Sequence, residues 1–292
     1  MRAHGGHYYV HAGQTEVDCT LRGRLKQGRR PSDLIAVGDR VRWRPTTEGC
    51  GIIEEILPRQ RVLSRCPPPP RPPVEQVILA NPDQVVVVFS LRNPPLSPFM
   101  LDRYLVACAA AQLPVLIVLN KADLLEEDDL ELIALYRAIG YTVLTTSALS
   151  GEGLEALREA LRGKVSVLVG PSGVGKSSLL NALWPELDLE VGEISTYHDR
   201  GRHTTVVACL LHPEPGTYVA DTPGLRQFRL WDIAPEQLEA FFPEMAPYLG
   251  RCRFKPCTHL HEPGCAVRAA VERGEISELR YESYSKMFTY GF

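Results

Sequence analysis

Apolar runs of strand length punctuate the middle of the chain, with longer apolar segments of helical character between them. Gln84–Phe89, Pro114–Leu119, Thr142–Thr146, Lys164–Val169 and Tyr218–Ala220 read as short buried strands. Leu101–Gln112 and Ser177–Trp184 predict helices, the second stopped by Pro185. Residues 7–65 alternate faster, in stretches such as Tyr8–His11, Arg40–Trp43 and Gly51–Ile56 separated by turn residues, as a small all-β barrel would. Six prolines in Cys66–Pro73 favour extended polyproline II and exclude a central strand, which predicts a semi-rigid linker. Near the C-terminal end, Ala266–Arg273 and Ser277–Phe288 predict two short helices.

The loops after these strands carry the chemistry. Val169 runs into Gly170-Pro171-Ser172-Gly173-Val174-Gly175-Lys176-Ser177-Ser178, a phosphate-binding loop opening a helix. Gly170 and Gly175 let the backbone approach a phosphate, and the amides at the helix start form an anion nest. Lys176 reaches the β- and γ-phosphates in this arrangement, and the Ser177 hydroxyl ligates Mg²⁺. Leu119 runs into Asn120-Lys121-Ala122-Asp123, the guanine-reading string of GTPases. An aspartate there accepts two hydrogen bonds from the guanine ring N–H and exocyclic amine, a pair that adenine cannot offer. Thr146 is followed by Ser147-Ala148, similar to the element that supports the guanine ring. Ala220 leads to Asp221-Thr222-Pro223-Gly224, where Asp221 would hold Mg²⁺ through water and the Gly224 amide would sense the γ-phosphate. Between them, Gly201-Arg202-His203-Thr204-Thr205 supplies a threonine for the Mg²⁺ shell, with Thr205 the choice over Thr204.

The order is unusual, because the guanine string precedes the phosphate loop. Five strings, each on a plausible loop, argue for a circularly permuted GTP-binding domain. Permutation only rejoins old termini and opens a new gap at the surface. It also sends the segment after Gly224 straight into the C-terminal module, which nucleotide state can then address.

Charge and cysteines complete the reading. Residues 1–66 hold 12 Lys and Arg against 7 Asp and Glu, whereas residues 67–250 hold 13 against 23, so basic ends flank an acidic centre. A basic barrel suits a phosphate backbone. Residues 1–66, 67–240 (opening with the linker 67–73) and 241–292 are the expected units. No run approaches the length of a membrane span and the N-terminus lacks an apolar signal segment, which predicts a cytoplasmic protein. The 8 cysteines are then thiols or metal ligands. Cys252, Cys257, His259 and Cys265 suit a closed tetrahedral Zn²⁺ site in a segment too short to bury much core, with His261 a competitor for the fourth position.

The permuted order, with Gly170–Ser177, Gly201–Thr205 and Asp221–Gly224, resembles the ribosome small-subunit-dependent GTPase A family (RsgA, also YjeQ). The resemblance spans nearly the whole chain. It implies an N-terminal OB-fold, a central circularly permuted α/β P-loop GTPase domain and a C-terminal helical zinc-binding module, and favours His259 over His261. It further implies a bacterial GTPase that assists late maturation of the small (30S) ribosomal subunit; a monomer is expected. Such a protein contacts 16S rRNA, needs Mg²⁺ with GTP or GDP, and turns over slowly until that subunit stimulates it. Leu225 occupies the position where many GTPases orient water with Gln. His203, beside the switch threonines and similar to the residue the family uses, is the expected water positioner, acting with Lys176 and Thr205. An ATP-dependent kinase is disfavoured by Asp123. An RNA-binding zinc protein that keeps GTP as a structural ligand is the alternative.

Overall fold

The computed structural model describes residues 3–4, 7–13, 15–26, 35–46, 49–65, 76–190, 209–221 and 233–291. The proline run 67–73, the segment Gly201–Thr205 with His203, Thr204 and Thr205, and Gly224 lie outside the described residues.

A six-stranded sheet organises the centre, and its middle strand explains the apolar pattern. Every residue of β8 (Gln84–Ser90) is buried, as an unbroken apolar run covered on both faces requires. β9 (Val115–Asn120) and β10 (Thr142–Thr146) extend the sheet in parallel on one side. β11 (Val165–Val169) and β13 (Thr217–Asp221) extend it in parallel on the other, with β12 (Cys209–Glu214) antiparallel at the far edge. The spatial order is therefore β10-β9-β8-β11-β13-β12. Alternate residues of β8 enter different cores. Val85, Val87 and Phe89 pack with α1 (Pro98–Ala110) and α2 (Glu127–Ile139) through Leu101, Leu105 and Ile133. Val86 and Val88 pack with α3 (Leu154–Leu161) and α4 (Lys176–Leu183) through Leu157, Leu161, Leu179 and Leu180. Helix α1 begins before the predicted Leu101, because the Ser97 hydroxyl accepts the Met100 amide at 3.4 Å and Pro98 fits the first turn.

The N-terminal unit, expected as an OB-fold barrel, is strand-rich. β1 (Ala3–His4), β2 (His7–Ala12), β3 (Thr15–Leu21), β4 (Val41–Pro45) and β5 (Gly51–Ile56) form one sheet in the order β1-β2-β3-β5-β4 around Val10, Cys19, Leu21 and Ile53. β6 (Val62–Arg65) and β7 (Gln76–Ala80), on either side of the proline run, pair antiparallel with Arg65 opposite Gln76. The run thus joins two arms of a hairpin, and the boundary drawn at residue 66 falls inside that hairpin. Composition carried no signal for the pairing of β6 with β7. The hairpin is tied to the N-terminal unit: the Ala80 amide donates to Val37 O at 2.8 Å and Asn81 Nδ2 to Gly38 O at 3.1 Å.

The C-terminal unit consists of 3-10 turns at 235–241 and 243–248, α5 (Ala266–Glu272) and α6 (Glu278–Tyr290). Its core of Leu238, Phe242, Met245, Val267, Tyr284 and Met287 also includes Val106 of α1, so this unit packs against the central domain through α1. Among the described residues, no helix is long and apolar enough to cross a membrane.

Candidate nucleotide site and metal centre

Parallel strands place their carboxyl ends on one edge, and there the separated strings meet. Asn120 closes β9, Ser147 follows β10, Gly170 follows β11 and Asp221 closes β13. The guanine string touches the phosphate loop directly. Buried Asn120 donates from Nδ2 to the Val174 carbonyl at 2.8 Å, and Lys121 Nζ donates to Gly173 O at 3.1 Å. Two glycines are required by close approach. A Cβ on Gly170 would lie 2.0 Å from Val88 O, and one on Gly175 would lie 2.4 Å from Asn120 Nδ2. Both also have positive φ, of 143° and 92°. Ser147 Oγ donates to Asp123 Oδ1 at 2.5 Å and accepts from the Leu149 and Ser150 amides. The serine therefore orients the Asp123 carboxylate, and Ala148 follows it on the same turn. Lys176 opens α4 and donates from Nζ to Gly170 O at 2.9 Å and Pro171 O at 2.7 Å. Its ammonium is thereby held over the loop that would cradle phosphates. Ser172 and Gly173 lie exposed at the loop tip, and Ser177 and Ser178 sit in the first turn of α4. Asp221 pairs in register with Leu168 of β11, beside the strand that feeds the phosphate loop.

One participant carries no motif. The loop after β8 threads between the guanine string and the phosphate loop: Lys121 Nζ also donates to Asn93 O, the Leu91 amide donates to Asn120 O at 3.0 Å, and Gly173 faces Pro94. Arg92 fixes this loop to the start of α2. Its guanidinium donates to Glu126 Oε2 at 2.6 Å and Asp129 Oδ1 at 2.9 Å, and both carboxylates raise its pKa. Asp129 in turn caps α2 through the Glu126 amide at 2.9 Å. Removing the fork with Arg92→Ala should loosen the segment carrying Lys121 and Asp123. The expected result is a several-fold higher KM for GTP with kcat retained. Arg158→Ala, which breaks the remote Arg158–Glu214 pair, should leave KM unchanged in the same steady-state assay.

The second constellation lies in the C-terminal unit. Ligand atoms of Cys252, Cys257, His259 and Cys265 all lie within 4.8 Å of one another. His259 Nδ1 is 3.5 Å from Cys252 Sγ and 3.3 Å from Cys265 Sγ, and those two sulfurs are 3.9 Å apart. Metal–sulfur bonds of about 2.3 Å and metal–nitrogen bonds of about 2.0–2.1 Å give tetrahedral edges close to these lengths. The other imidazole nitrogen, Nε2, faces Glu239 Oε2 at 2.6 Å, the carboxylate–histidine arrangement that orients a metal ligand. Burial pushes the Cys257 thiol up to about 12, a penalty that a bound cation reverses. The donor set therefore fits one zinc ion. Exposed His261 is outside the cluster, whose fourth member is His259. Glu239 escaped the sequence reading because it is 20 residues from His259 and belongs to no motif.

Charge in the N-terminal unit is more balanced than its count suggests. Arg42 pairs with Glu55, Arg44 and Arg22 with Glu54, and Arg59 with buried Asp39. Exposed Arg40 and Arg61 pair with no carboxylate among the described residues.

Asn120–Asp123 and Gly170–Ser177 lie on one sheet edge in inverted chain order, as in a circularly permuted GTPase. The RsgA GTPase family matches residues 56–231, and the chain belongs to that family. It is 45% identical over 284 residues to the small ribosomal subunit biogenesis GTPase RsgA of Moorella thermoacetica, covering 97% of this chain and 93% of the relative. To the protein of the same name from Gemmatimonas aurantiaca it is 48% identical over 288 residues, again covering 97% and 93%. Among solved structures, YjeQ from Thermotoga maritima aligns with a TM-score of 0.77 at 39% identity, covering 95% of this chain and 90% of that one. YloQ, described as a circularly permuted GTPase, aligns with a TM-score of 0.76 at 34% identity, covering 99% and 92%. The chain is thus a GTP hydrolase with the three-part fold that its sequence implied.

Proposed function

We propose that this GTPase binds the small ribosomal subunit, contacts its 16S rRNA and assists late maturation, with nucleotide state setting the affinity of docking. The observation that carries this reading is the contact of Asn120 with Val174 and of Lys121 with Gly173 at one edge, in a chain matched over its length by relatives named for small-subunit biogenesis. GTP would lie along this edge. Asp123 reads the base, Lys121 spans the base and phosphate loops, and the Gly170–Ser178 segment with Lys176 holds the phosphates. Ser177, Thr205 and Asp221 would hold Mg²⁺, which neutralises charge on the phosphates, and Gly224 would report the γ-phosphate. His203 would align the attacking water, since Leu225 offers no polar group. Arg40 and Arg61, which pair with no carboxylate among the described residues, support contact with RNA, and the protein would act as a monomer in the cytoplasm.

Co-sedimentation with purified small subunits tests the reading: binding should be strong with a non-hydrolysable GTP analogue and weak with GDP. Equal binding in both states would instead favour GTP as a structural ligand. His203→Ala should keep nucleotide affinity while subunit-stimulated turnover falls to the unstimulated rate. Unchanged stimulation would reject His203 as positioner.

Zn²⁺ would be held by Cys252, Cys257, His259 and Cys265 as a structural ion that supplies folding energy. A strong chelator should release about one zinc per chain and abolish hydrogen-exchange protection over residues 251–291, with the central domain retaining its protection.

A further inference from the structure

The loop between the first two cysteines of the metal cluster exposes an aromatic ring where a small domain would ordinarily bury one. Phe254 is 46% exposed, while Phe242 and Tyr284 of the same unit are at most 1% exposed. Its neighbours Arg251, Arg253 and Lys255 are all exposed. Among the described residues, none of these three cations pairs with a carboxylate. Glu262, the acidic residue of the cluster loop, is engaged by Thr258 through its amide at 2.8 Å and its hydroxyl at 2.7 Å. The Arg253 guanidinium carbon lies 5.5 Å from the Phe254 ring centroid, a cation–π arrangement.

The loop is also held rigidly. Cys252 and Cys257 anchor its two ends in the cluster, the Arg253 amide donates to Gly264 O at 3.1 Å, and the Arg253 stem lies against Gly264. An exposed ring on an anchored loop, flanked by cations with no carboxylate partner among the described residues, has the two elements of a single-strand platform, a π-face for one base and positive charge for the adjoining phosphates. A protein partner would also value the ring, but it would be expected to leave fewer uncompensated cations beside it.

We propose that Phe254 stacks on an unpaired base of RNA, with Arg251, Arg253 and Lys255 binding the flanking phosphates. This inference rests on the proposed contact with ribosomal RNA and assigns it a second foothold beyond the N-terminal unit.

The test uses the full-length zinc-loaded protein with a fluorescent single-stranded oligouridylate and a fully paired RNA duplex of equal length. Phe254→Ala and the volume-keeping Phe254→Leu should each weaken single-strand binding roughly tenfold, while Phe254→Trp keeps it. The salt dependence should be unchanged in all three, because no charge is removed. It should flatten in the double variant Arg253→Gln, Lys255→Gln. Zinc content should equal that of the unaltered protein in every variant. Unchanged single-strand affinity in Phe254→Ala and Phe254→Leu would overturn the proposal, as would an equal loss on the duplex. Intact RNA binding with weakened binding to small subunits would make the ring an anchor for a ribosomal protein instead. If the unaltered protein bound neither RNA, the ribosomal-RNA contact itself would fail, and the stacking proposal with it.

Discussion

Asp123→Asn is expected to lose GTP and gain xanthosine triphosphate. The Asp123 carboxylate is pinned by Ser147 at 2.5 Å on the turn beside the phosphate loop, where it can accept from the ring N–H and the exocyclic amine of guanine. Hydrogen bonds to a charged group contribute about 1.5–3 kcal/mol each, so two predict a loss of roughly 100-fold or more in affinity. An asparagine amide presents a donor where guanine also presents one, whereas xanthine carries a carbonyl there and restores the match. Titration calorimetry with both nucleotides checks this. The phosphate loop is untouched by the substitution, so recovery with xanthosine triphosphate would show that the defect lies in base reading. Equal weakening of both nucleotides would mean that the turn had collapsed.

The second large effect lies far from the nucleotide. Arg280 of α6 is fully buried, and its guanidinium donates to Asp102 of α1 and to both oxygens of Glu244, at 2.6 Å and 3.2 Å. Tyr136 of α2 donates to the same Asp102 oxygen at 2.8 Å, and the Phe242 ring lies 4.6 Å from the guanidinium carbon. Burial pushes the Asp102 carboxyl up and Arg280 opposes that shift. For Arg280 itself, burial works against the charge, but Asp102 and Glu244 outweigh it. Removing one partner of such a pair strands the other, at roughly 3–5 kcal/mol. Arg280→Ala should therefore lower stability by about that amount in urea unfolding. The C-terminal unit should lose protection first, because α6 is held to α1 and α2 through this residue. Arg280→Met, in an otherwise unaltered chain, leaves the carboxylates unpaired in the same way and should be nearly as damaging. Arg280→Met combined with Asp102→Leu should recover much of the loss.

Asn120–Asp123, Ser147–Ala148, Gly170–Ser177 and Asp221 could be traced to one edge because each lies at the end of a parallel strand. The inverted order in sequence becomes adjacency in space through β8, which lies between β9 and β11. The cysteine–histidine cluster was legible from residue type and spacing, and geometry gathers His259 into it and leaves His261 out. Arg92 was not legible, because an arginine after a strand looks like any solvated charge until its fork meets Glu126 and Asp129. Nor was the Asp102–Arg280 pair, whose partners are 178 residues apart. Buried ion pairs of this kind follow from how modules dock, and docking leaves no periodicity in a single sequence. The hairpin around the proline run was hidden for a related reason, since strand pairing across a long connection depends on the partner surface.

The central claim is that one GTP site, assembled from inverted strings, is controlled by the small ribosomal subunit. Steady-state GTP turnover measured alone, with purified small subunits and with purified large subunits tests it most directly. The account predicts slow turnover alone, a many-fold increase with small subunits and none with large ones. Turnover that is equal in all three conditions would contradict it.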